Sequence, residues 1–156
     1  MLVANNISKA IRSLEPNATV AFLAYLKTLP PPENIKPETG VFLEFAPVRR
    51  CYIHSINDSS CAINRKHWTY LLQLLDKSPP STTHILEYWL DSSLFSQYKK
   101  PAIKPLYLEN IVEQDLEAYS SLGITDITTF AVYMDDAYFK KWGDREFIHY
   151  SNTICA

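Results

Sequence analysis

Glycine occurs only three times in this chain of 156 residues, at Gly40, Gly123 and Gly143. Gly-rich loops that cradle phosphates need several residues at positive φ or in close backbone approach, so the scarcity argues against such a loop. No window comes near the roughly 18 apolar residues of a membrane span. The opening MLVANNISKA lacks the basic start and apolar run of a secretory leader. Cysteine is limited to Cys51, Cys61 and Cys155, with no C-x-x-C pair. An odd count without pairing predicts free thiols, a reducing compartment and a cytoplasmic location. There is no G-x-S-x-G elbow, H-E-x-x-H helix or Walker loop. These absences remove the enzyme classes with short signatures, and the sequence alone does not disclose a function.

What is present is an ordinary folding composition. Hydrophobic residues make up 47% and charged residues 21%, too apolar for disorder and long enough for one domain over residues 1–156. The net charge of −2 neither favours nor forbids nucleic acid.

The stretch from Gly123 to Tyr150 is the densest in structural signals. Ile127 to Met134 is β-branched and aromatic and apolar on both alternating faces, which predicts a central strand. Asp135 is placed to cap a short helix closed by Gly143, and Arg145 to Tyr150 reads as a strand again. Earlier in the chain, helices are predicted from Asn5 or Asn6 to Leu14 and from Ala18 to Thr28. Pro30, Pro31 and Pro32 open a surface connection over 30–40. Val41–Phe45 and Arg50–Ile56 read as a hairpin pair, followed by a helix from Asn64 to Lys77. The segment 81–98 fits helix and strand patterns nearly equally, with helix preferred. Leu106–Leu108 reads as a short strand, and a helix over Asn110–Leu122 ends at Gly123. The pairing of strands predicts an α+β fold, a mainly antiparallel sheet of about four to five strands packed with helices.

Four groups could carry chemistry. Cys51, His54, Cys61 and His67 are all possible zinc ligands within seventeen residues. On a strand, however, residues three apart face opposite sides, so Cys51 and His54 would diverge and no metal is expected. Asp135 and Asp136 follow a predicted buried strand, and His149 on the next element could join them for general acid–base work, although capping alone explains an Asp there. Basic doublets at Arg49-Arg50, Arg65-Lys66, Lys99-Lys100 and Lys140-Lys141, with abundant aromatics, permit a single-stranded nucleic-acid surface. Aromatics form 13% of the chain, and tyrosines 88, 98, 107, 119, 138 and 150 exceed what one core needs. Tyrosine and tryptophan are enriched at protein–protein hot spots. The reading preferred from sequence is therefore a non-catalytic, cofactor-free, cytoplasmic module that binds another protein, of the inhibitor or immunity-protein kind. Its candidate contacts are Tyr138, Trp142, Lys140 and Lys141. An enzyme using Asp135 or Asp136 with His149 comes second, and a nucleic-acid binder third.

Overall fold

Val20, Phe22 and Ala24 alternate with Ala21, Leu23 and Tyr25, and the first set turns inward: Phe22 and Ala24 are buried while Leu23 is exposed. That period of two makes β1 (Val20–Tyr25), where a helix was predicted. The residues that fit a three-four spacing there fit a two-residue spacing as well, and packing chose the latter. The computed structural model describes residues 1–154, so Cys155 lies outside the described residues. Its order is α1 (Leu2–Arg12), β1, β2 (Val41–Ala46), α2 (Ala62–Leu75), β3 (His84–Glu87), α3 (Ser92–Phe95), α4 (Glu109–Ser121), β4 (Asp126–Thr129), α5 (Asp136–Trp142) and α6 (Arg145–Ile154).

The sheet has four strands in the order β1-β2-β3-β4, and every pair is parallel. The expected antiparallel sheet is therefore incorrect. Its cause was the hairpin assigned to Val41–Ile56: β2 does not turn back on itself. Residues 50–56 form a turn-rich loop that leads into α2 instead of a second strand. The preferred helix over 81–98 is also corrected, because Ile85 and Glu87, two apart, both point into the core, and apart from the end of a 3-10 turn at Pro80–Thr82 helix is confined to Ser92–Phe95. Arg145–Tyr150 is helical rather than extended, with its buried Glu146 and Tyr150 four residues apart. β4 is an edge strand of four residues, not a central one, and no strand forms at Leu106–Leu108.

Parallel neighbours require crossovers, and crossovers are right-handed in nearly all proteins. Strand order that always advances the same way therefore places the connecting helices on one face. The core confirms this. Phe22, Leu43, Phe45 and Ile85 pack with Leu71 and Leu74 of α2 and Val112, Ala118 and Tyr119 of α4. Over the opposite face, among the described residues, only the four-residue α3 packs, its Leu94 against the cluster of Ala46, Val48 and Tyr88 with Leu86. This is the winding of a (β/α) barrel opened out, rather than that of a doubly wound sheet.

Candidate functional site

Two regions stand out on this frame, the uncovered sheet face and the buried junction beneath it. Parallel sheets are usually covered on both faces, yet here Leu23 is 43% and Phe130 37% exposed. Across the strands runs a polar row. His84 Nε2 lies 2.7 Å from Thr128 Oγ1, and its Nδ1 is 3.5 Å from Glu44 Oε1. Toward the carboxyl ends of the strands the face becomes aromatic. A shallow hollow of about 350 Å³ is lined by Leu23, Tyr25, Leu86, Tyr88, Asp91 and Phe130, among others. Tyr88 sits between Tyr25, 6.5 Å away, and Phe130, 5.1 Å away, measured between ring centroids. Asp91 caps α3 through the amides of Ser93 and Leu94, which fixes one wall of the hollow. Tyr98 carries positive φ beside it and Tyr133 hydrogen-bonds its carbonyl, also at positive φ. Desolvation by burial, with Tyr25 next, pushes the Tyr88 hydroxyl above the ordinary tyrosine range.

Under the sheet, on the helix side, Arg50 joins two acids with no exposure on any of the three side chains. Arg50 Nη1 donates to Glu87 Oε1 at 2.9 Å and to Asp115 Oδ2 at 2.5 Å, and Nη2 donates to Asp115 Oδ1 at 3.1 Å. Trp89 Nε1 (3.0 Å) and the Ile56 amide (2.6 Å) donate to Asp115, and the Tyr119 hydroxyl donates to Glu87 at 2.6 Å. One cation and two carboxylates leave an unbalanced charge. Desolvation outweighs the pull of Arg50 and pushes Asp115 up to about 6. Burial likewise raises Tyr119, with Glu87 the next cause. This cluster locks the loop after β2 to β3 and α4. It has no access to solvent, so its role is structural.

The predicted residues are placed as follows. Asp135 caps α5, accepting from the Tyr138 amide at 3.0 Å, and pairs with Lys100. Asp136 pairs with Lys140 at 2.7 Å on the surface. His149 faces Tyr107 (2.9 Å) and Glu113 (3.3 Å), and shares no partner with either aspartate. Tyr138 is 2% exposed, so Trp142 and Lys141, whose ammonium lies 4.6 Å from the indole centroid, form the outward part of that group. Of the basic doublets, Arg50 is buried and Lys100 and Lys140 are paired with acids. Tyrosines 88, 119, 138 and 150 belong to the buried interior, which absorbs most of the apparent excess. Cys51, His54 and Cys61 do come together, whereas His67 turns its Nδ1 onto the Ile63 carbonyl of its own helix at 2.9 Å. The missed region had one readable signal. Asp115 lies four residues after Ile111 and four before Tyr119, so it shares their face of the helix.

One family model matches, over residues 1–142, and it is described as a domain of unknown function, DUF4838. No curated protein and no solved structure matches the chain.

Proposed function

This chain belongs to the DUF4838 family, and on that premise we propose that it is a non-catalytic protein-binding module that docks through the uncovered face and unpaired edges of its parallel sheet. The observation that carries this reading is the one-sided covering of the sheet. A row of apolar side chains at Leu23, Leu86 and Phe130 lies on the face away from α2 and α4, with only the four-residue α3, among the described residues, packed at its end, and β1 and β4 are the edge strands. Such a surface is complementary to more strands of the same kind. The partner we assign is a second copy of the chain. Two four-stranded halves supply eight strands, the number at which side chains just fill the interior of a parallel barrel. The polar row at Glu44, His84 and Thr128 would then form one layer inside that barrel. The geometry adds no argument for the narrower inhibitor or immunity role.

Sedimentation analysis of the purified chain over a wide concentration range tests this. A dimer that dissociates when Leu86 or Phe130 is replaced by aspartate is expected. A chain that stays monomeric throughout, with unchanged hydrogen exchange at β1 and β4, rules the reading out.

A second reading has one specific observation in its favour. The aromatic hollow lies at the carboxyl ends of the strands, where sites on parallel sheets form. Its stacked rings and the Asp91 carboxylate suit a small polar ligand with an apolar face. This is a different place from Asp135, Asp136 and His149, which the fold leaves as cap, surface pair and helix-face contact.

A further inference from the structure

We propose that Cys51, His54 and Cys61 form a binding site for a zinc ion, with the fourth coordination position left to water or an exogenous ligand. The candidate ligand atoms all lie within 4.8 Å of one another, and Cys51 Sγ is already 3.2 Å from His54 Nδ1. A tetrahedral zinc with bonds of about 2.3 Å to sulfur and 2.0 Å to nitrogen holds its ligand atoms about 3.3 to 3.8 Å apart. Small side-chain rotations are enough to close the set. Two thiolates and an imidazole form a soft donor set that suits zinc and excludes magnesium and calcium.

The loop is built to hold these groups. Asn64, wholly buried in α2, accepts from the Cys51 amide at 2.7 Å, and its Nδ2 lies 2.9 Å from the carbonyls of Cys51, His54 and Ser55. Arg50 Nη2 adds a bond to the His54 carbonyl at 2.8 Å. The backbone on both sides of the first two ligands is thus fixed from below, which is how outer-shell groups orient metal ligands. The third ligand, Cys61, occupies the N-cap position of the 14-residue α2, but makes no side-chain capping bond. Its sulfur is left to other uses. The site also lies in the loop after β2, at the carboxyl edge of the sheet.

The sequence argued against this cluster on the premise that Arg50–Ile56 is a strand. In the turn that forms instead, Cys51 and His54 meet on one side.

The test uses the full chain, reduced and stripped with a chelator, then titrated with Co²⁺ followed by Zn²⁺. The expected result is one Co²⁺ per chain, with a sulfur-to-cobalt charge-transfer band and the intense visible bands of tetrahedral cobalt, displaced by one equivalent of Zn²⁺. Binding releases the thiol protons, so affinity falls as the solution is acidified. Cys51→Ser and Cys61→Ser each lower zinc affinity by about 100-fold or more, while His67→Ala leaves the spectrum unchanged. Circular dichroism verifies that each variant is folded, and the wild-type spectrum stands without any variant. Absence of the cobalt band in the reduced wild-type chain overturns the proposal. So does its survival in the Cys51→Ser, Cys61→Ser double variant, or formation of a Cys51–Cys61 disulfide in place of metal uptake.

Discussion

Replacing Arg50 by methionine keeps the apolar stem and deletes the guanidinium that holds three parts of the molecule together. The wild-type group makes three bonds to Glu87 and Asp115 and one to the His54 carbonyl. Asn64 also reaches that carbonyl, so it keeps a partner in the variant. The two carboxylates keep only neutral donors, Trp89 and the Ile56 amide on Asp115 and Tyr119 on Glu87, and lose their cation. Both are fully buried, and Oε2 of Glu87 has no hydrogen bond even in the wild type. Breaking a buried pair by removing one member costs about 3 to 5 kcal/mol. A domain of this kind has about 5 to 15 kcal/mol in total. R50M should therefore lose about a fifth or more of its stability in urea unfolding followed by tryptophan fluorescence. Trp89, bonded to Asp115 at 3.0 Å, sits inside the perturbed cluster. The companion variant R50M/E87M/D115L removes all three charges. It should recover part of the loss, because the buried charges are gone, while Trp89 Nε1, the Ile56 amide and the Tyr119 hydroxyl are left without their acceptors. An R50M loss under about 1 kcal/mol would show that water reaches the acids and would refute the account of the cluster.

Two further predictions need only the folded chain. Asp115 is pushed from 3.8 up to about 6, so the folded state holds the extra proton between those values. The contribution of this group to stability is then fully present below about pH 4 and is lost as pH rises through about 6. Urea unfolding of wild type against Asp115→Asn measures this, and an equal slope in both removes the assignment. Gly40 and Gly123 both adopt positive φ, +82 and +81. Gly123→Ala should cost about 1 to 2 kcal/mol from backbone strain alone, since an added Cβ meets nothing nearer than 3.8 Å. Gly40→Ala should cost more, because its Cβ would lie 2.9 Å from the Ala18 carbonyl oxygen. Thermal melts that rank the two the other way would contradict this.

Where local signals were strong, the sequence was a good guide. The helix Asn110–Leu122 closing at Gly123 was read within a residue of α4, and its end is held by the Gly123 and Ile124 amides bonding back to Ser120 and Tyr119. Asp135 as a cap and Gly143 as a stop were equally local, and both follow from one side chain or one φ angle. What failed was everything decided by partners far along the chain. Val20–Tyr25 carries both a helical and an alternating pattern, and only the neighbouring β2 selects between them. The strand assigned to Arg50–Ile56 was undone by Asn64 and Asp115, which capture its backbone groups from 9 to 59 residues away. That one misassignment also hid the convergence of Cys51, His54 and Cys61. The uncovered sheet face was not legible either, because it depends on strand order, and strand order has no local signature.

Each strand pairs only with the next along the chain, at separations of 21, 40 and 42 residues for Val20↔Val41, Glu44↔His84 and His84↔Asp126. No strand must wait for a distant one to be inserted between its neighbours, so the layer can grow outward by accretion once any adjacent pair has met. Shortening such a chain by its last unit strips a margin and leaves the centre intact, and lengthening it by another extends the same margin. An architecture that adds and loses pieces at its rim tolerates changes of length that would wreck a sheet whose middle strand came last.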